Sequence, residues 1–140
     1  MAESKAIIGY DTAFAIHDGG DPGSFSDVAE VMDITPPNQQ ADDVETTHYK
    51  SPNRTKEYTP GLIEPGEMSF GINWIPSDDT DLLLQGLKSS GAKRKMRVTW
   101  PNGVTWSWTG YIKGFEPTAP IDDRMTATVT VKVSGATAIA

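Results

Sequence analysis

From Met125 to Val133 the chain alternates without a slip. Met125, Ala127, Val129, Val131 and Val133 fall on one side, and Thr126, Thr128, Thr130 and Lys132 on the other. A two-residue repeat puts apolar side chains on one face of a β-strand and polar ones on the opposite face. The repeat recurs upstream. Met68, Phe70, Ile72 and Trp74 oppose Ser69, Gly71 and Asn73; Met96, Val98 and Trp100 share a face; Val104, Trp106, Trp108 and Ile112 share another. Ile8 to Ile16 within residues 1–24 reads as an N-terminal strand or arm, Asp27–Thr35 as a second strand, and Asp42–Tyr49 as a third. Pro101-Asn102-Gly103 supplies a tight hairpin turn, because Asn-Gly tolerates positive φ, and Gly110 and Gly114 mark a bend or bulge. One polar and one apolar face means a sheet covered on one side only.

A single segment breaks the pattern. Leu83, Leu84 and Leu87 form a stripe at helical spacing, preceded by Asp78, Asp79 and Asp81 and followed by Ser89-Ser90-Gly91. The acids read as caps for the positive end of a helix, not as an ion-binding loop, which wants a fixed spacing, a turn glycine and a closing Glu. Seven to eight antiparallel strands with one rim helix give a mainly β fold, a β-sandwich or barrel, in one domain over residues 1–140.

Between two of these strands lies a long segment, residues 49–65, with Pro52, Pro60, Pro65 and Gly61. Proline lacks the N–H a sheet ladder needs and glycine has nothing to pack, so the segment reads as loop. Long loops in small domains are usually functional. This one carries Tyr49, Lys50, Arg54, Lys56, Glu57, Tyr58 and Leu62, which suit contact with another protein better than catalysis. With little of its own to bury, it is expected to be mobile in a free subunit and ordered against a partner.

Charge and composition narrow the function. The net charge is −7, so the surface as a whole should not seek nucleic acid. No basic residue lies between Lys5 and Lys50, while Lys93, Arg94, Lys95 and Arg97 crowd together. That distribution reads either as solvated loops and edges or as an acidic face that meets a neighbour's basic face. There is no cysteine, hence no disulfide framework or thiolate zinc site. No apolar run approaches the ~18 residues of a membrane span, and the start lacks a signal-peptide core. His17 beside Asp18 has no nucleophile motif with it, the two histidines are too far apart for one local metal motif, and no phosphate loop is present. No cofactor is expected. Trp106 and Trp108 on one face offer a sugar-stacking platform as the rival reading, and more often such indoles are core.

Several blocks, in order, resemble one family. They are Ser26–Ile34, Asp43–His48, Glu57–Leu62, Gly66–Phe70, Pro76 ahead of the helix, Gly110–Pro117 and Met125–Gly135. The set resembles the major tail tube proteins of long-tailed, lambda-like siphoviruses, over roughly Phe25 to Gly135. The resemblance implies the fold shared with the type VI secretion tube protein, and hexameric rings stacked into a hollow tube that passes DNA. It implies no catalytic residues, and partners in copies of itself and in the tape measure, tail terminator and distal tail proteins. The place it implies is the virion tail, assembled in the host cytoplasm, with no membrane. Some family members carry an extra immunoglobulin-like domain after the core, and none is expected here. A lumen that transmits a polyanion should not attract it. Alternation puts Asp43 and Glu45 on one side of their strand and Glu67, Ser69 and Asn73 on one side of the next, with Asp33 joining them. These residues are expected to face the lumen, as an acidic and polar wall. The alternatives are a carbohydrate-binding or virion decoration sandwich and a type VI secretion-like tube protein.

Overall fold

The computed structural model describes residues 4, 6–20 and 23–140. Among them ten strands and one α-helix follow one another: β1 (Ala13–His17), β2 (Phe25–Asp27), β3 (Val31–Thr35), β4 (Gln40–Glu45), β5 (Tyr58–Glu64), β6 (Glu67–Asn73), α1 (Asp79–Ser90), β7 (Arg94–Thr99), β8 (Thr105–Thr118), β9 (Thr126–Val133) and β10 (Ala138–Ile139). Eight strands form one antiparallel sheet in the order β2-β1-β7-β8-β9-β6-β3, with β10 added beside β8; β4 and β5 form a separate pair. The helix is too short and too polar to cross a membrane.

The large sheet is rolled. Strands β1 and β6 are separated in the sheet by β7, β8 and β9. Flat, they would stand about 19 Å apart at the usual strand spacing. Instead the rings of Phe14 and Phe70 meet at 4.6 Å between centroids. Phe14, Ile16, Met68, Phe70, Ile72, Met96, Val98, Trp108, Ile112, Val129, Val131 and Val133 are buried in one core on the inner face. The two edges, β2 and β3, are consecutive in the chain. The stretch between them is tied at one end by the Val28 N–H to the Phe14 carbonyl (2.8 Å) and at the other by the Asn73 N–H to the Glu30 carbonyl (3.1 Å). One short run of chain thus spans the open side of the roll, which leaves little edge exposed.

Several expectations change here. Asp27–Thr35 is two strands, because Glu30 turns the chain at φ +56°. The first strand begins at Ala13, and Ile8 and Tyr10 lie exposed ahead of it. Residues 17–23 have the composition of a turn, and Asp21 and Pro22 within them lie outside the described residues. On the helix, Leu84 and Leu87 are buried, while Leu83 is 40 % exposed, since consecutive residues are about 100° apart around the axis. Trp108 is 3 % exposed and stacks on Phe14, and Trp106 packs edge-on against Trp100, so the two indoles form no open platform.

The helix start is held by an acid the sequence singled out, in an unexpected way. Asp78 occupies the N-cap position but its side chain caps nothing. Asp81, buried in the first turn, accepts hydrogen bonds from the Ser77 N–H, the Trp74 indole and the Gln85 amide, each at 2.9 Å. Burial pushes its carboxyl pKa up, and these three donors together outweigh that and hold it below the ordinary value. Asp81→Ala strands the indole and the amide and should cost about 1–3 kcal/mol in a thermal melt. A folded pKa below the unfolded one means stability that is present above the usual carboxylate range and lost as pH falls through the folded value. Melting temperature should therefore fall more steeply on acidification below about pH 4 in wild type than in Asp81→Asn. Parallel curves for the two proteins would remove Asp81 as a pH-linked support.

Candidate assembly surfaces

The residues expected to make contacts lie on an arm. Strands β4 and β5 pair antiparallel, Gln40 opposite Glu64 through Glu45 opposite Tyr58. The expectation of loop from Tyr49 to Pro65 therefore fails from Tyr58 onward. Proline and glycine fit this strand because it is an edge: only one of its sides is paired, with β4, and the other has no ladder for Pro60 to interrupt. A Cβ at Gly61 would come 2.9 Å from Val44 Cγ2, so glycine lets the two strands lie close there without displacing that side chain. Every residue of β4 is exposed, and in β5 only Gly61 is partly covered. The ribbon contributes nothing to the core. It holds Val44, Tyr58, Leu62 and Ile63 in solvent, at 48, 57, 86 and 63 % exposure.

Its tip, residues 46–57, is built from local bonds. A 3-10 turn covers Pro52–Arg54. Thr47 Oγ1 accepts the Glu57 N–H at 2.8 Å, and Ser51 Oγ donates to Glu57 Oε2 at 2.7 Å. His48 Nε2 lies 3.4 Å from the same carboxylate oxygen. These are the residue types of a hydrolytic triad in the wrong arrangement. His48 Nδ1 accepts the Lys50 N–H, and the Ser51 hydroxyl donates to the carboxylate, so the hydroxyl is not bonded to the imidazole as a triad requires. The cluster shapes the tip. Around it Tyr49, Lys50, Arg54 and Lys56 are all exposed.

The outer face of the large sheet is the second surface. Register places Glu67, Ser69, Gly71 and Asn73 of β6 opposite Lys132, Thr130, Thr128 and Thr126 of β9, so their side chains share a face. Asp33 sits beside them at a β-bulge, with φ +51°, and lines one groove with Ser69 and Gly71. Asp43 and Glu45 are on the arm, in the other sheet, and do not join this wall within a subunit. Nor is the wall plainly acidic. Lys113 Nζ donates to Glu67 at 2.6 Å; that bond, and then the charge behind it, lowers the Glu67 carboxyl pKa and raises that of Lys113. Lys132 reaches Glu64 at 3.4 Å and ties the arm's base to the sheet. The expected face is polar, with Glu67 and Lys132 each paired to a neighbouring charge. Sequence alternation located its residues but carried no information on which lysines would cross to them. No cluster of acids, histidines or cysteines able to hold a metal occurs among the described residues.

A comparison with curated proteins finds no match. Solved structures share the fold at low identity. A chain from the tail of an empty gene transfer agent particle, refined with C6 helical symmetry, aligns at 17 % identity and TM-score 0.79, over 96 % of this chain and 99 % of that one. A chain of the SPP1 tail tube aligns at 13 % identity and TM-score 0.70, over 96 and 78 %. A chain from the sheath-tube complex of an extracellular contractile injection system aligns at 12 % and 0.73, over 97 and 92 %. The model of the lambda phage tail tube protein family matches residues 10–140, which takes in the rolled sheet, the helix and the whole arm. With that span of agreement, the chain belongs to the lambda phage tail tube protein family.

Proposed function

We propose that this protein is a non-enzymatic structural subunit of a virion tail. Copies associate as rings of six, and the rings stack into a hollow tube through which DNA leaves the particle. The observation that carries this reading is the arm: a ribbon with every β4 residue exposed holds aliphatic and tyrosine side chains in water, with no use for them in a monomer. Six is the symmetry of the gene transfer agent tail that shares the fold, and a closed ring lets one repeated contact saturate every subunit. Tyr49, Tyr58 and Leu62 anchor the arm on a neighbour, while Lys50, Arg54 and Lys56, with Glu57 bracing the tip, meet its acids. Glu67, Ser69 and Asn73, with Asp33 at their edge, line the lumen, where balanced charge lets a polyanion slide. Asp43 and Glu45 remain on the arm. Tape measure, tail terminator and distal tail proteins bound the tube, which is built in the host cytoplasm without a membrane.

Electron microscopy of the purified protein at rising concentration tests both parts. Hollow tubes with six subunits per ring are expected, with Glu67, Ser69 and Asn73 on the inner wall of the reconstruction. A protein that stays monomeric at high concentration overturns the tube. Tubes in which that face is buried between subunits overturn the lumen assignment alone.

A further inference from the structure

Lys95 and Arg97 stand on the outer face of β7, on either side of the buried Met96. The Arg97 guanidinium is held in place, its carbon 4.4 Å from the centre of the Phe25 ring. Its Nε is closed off from solvent and has no hydrogen-bond partner. A buried, charged N–H is normally paired. Beside it opens a groove of about 430 Å³, lined by Phe25, Lys95, Arg97, Ser107, Thr109 and Ala138 among others. Among the described residues the ion pairs join His17 to Asp18, His48 to Glu57, Lys113 to Glu67 and Lys132 to Glu64. Neither Lys95 nor Arg97 is in that set. In a chain of net charge −7, two neighbouring cations at one groove without a carboxylate are out of keeping with the composition.

We propose that this groove receives strand β4 of a second copy, with Asp43 and Glu45 as the carboxylates for Arg97 and Lys95. The inference rests on the tube reading and names one of its contacts. Three observations select β4. It is exposed along its whole length and carries acids that form no ion pair among the described residues of their own subunit. It belongs to a sheet separate from β7, on an arm outside the core. And its acids have the spacing of the bases: past the irregularity between Ala41 and Asp43, its pairing is regular through Glu45. Residues i and i+2 of a strand point the same way, about 6.6–6.8 Å apart. Asp43 and Glu45 thus repeat at the interval of Lys95 and Arg97. A carboxylate also suits the Arg97 fork, which pairs with planar acids through two N–H groups, and the Ser107 and Thr109 hydroxyls at the groove can donate to the same oxygens.

The test uses the full chain. Arg97→Glu should raise the critical concentration for assembly, read by light scattering, by about tenfold or more; adding Asp43→Arg in the same chain should recover most of the loss. The chain has no cysteine, so a protein carrying Asp43→Cys and Ser107→Cys has thiols at those two positions alone, and the two single-cysteine proteins control for disulfides between like positions. Oxidised tubes of the cysteine-pair protein should run as covalent ladders on a denaturing gel. Should Arg97→Glu fail its melting control, the cysteine pair decides alone. Wild-type tubes together with a cysteine-pair protein that yields no ladder, or a disulfide closed inside single chains, overturn the groove assignment and leave the tube reading standing. Wild-type protein that never assembles overturns the tube reading itself.

Discussion

Removal of Ser51–Lys56 abolishes polymerisation and leaves the melting temperature of the free subunit within about 1–2 °C of wild type, as for surface changes in general. The two halves of this expected result come from different places in the fold. The deleted residues lie beyond the last paired residues of the arm, Glu45 and Tyr58, and none belongs to the core. Thr46–Lys50 and Glu57 remain to close the ribbon. What goes is the 3-10 turn, Ser51 as brace for Glu57, and the charges of Arg54 and Lys56. A single exposed ion pair is worth about 0–1 kcal/mol. In a ring the same contact recurs at each subunit, and every bond made raises the effective concentration for the next. A modest loss per contact therefore becomes a large loss in assembly. Sedimentation and negative-stain images check it. Tubes of normal length from the deleted protein would make the tip dispensable, and assembly would then rest on β4 and β5 alone.

Phe70→Ala should cost about 3–5 kcal/mol of unfolding free energy, the range for emptying a large aromatic from a packed interior. Phe70 is 1 % exposed, and its partner Phe14 lies at the other end of the rolled sheet. Its loss leaves a cavity at a place where strands remote in the sheet meet face to face. A loss of this size approaches the whole stability of many domains, about 5–15 kcal/mol, so Phe70→Ala should also lose assembly by populating unfolded chain. Leu62→Ala is the contrast. Leu62 is 86 % exposed on the arm, and its removal should change free-subunit stability by less than about 0.5 kcal/mol. Urea titration of the three proteins separates the cases. A loss under about 1 kcal/mol for Phe70→Ala would mean that the sheet collapses to fill the space and that the Phe14 contact does not hold the roll.

Alternation along the chain was enough to find the strands that build the core. In β6, β7 and β9 the residues placed inward by sequence, from Met68 and Met96 to Val133, are buried. A period of two carries the facing of each residue directly, because it follows from the backbone alone. The single helix, its Gly91 end at φ +67° and the Asn102-Gly103 turn were legible for the same reason: each is a local conformational demand met by a local residue. The ordered blocks likewise carried the family. The tertiary structure decided whatever depends on a partner remote in sequence. Tyr58–Glu64 is a strand only because Gln40–Glu45 lies beside it, and Pro60 and Gly61 spoke against it until that edge position was known. Glu67 is a paired charge only because Lys113 reaches across the intervening strand β9 to meet it. Phe14 and Phe70 meet only because the sheet rolls, and among the described residues no carboxylate of its own chain forms an ion pair with Arg97. A sequence states which way each side chain faces along its own strand; which other strand stands opposite is settled by the packing of the whole roll.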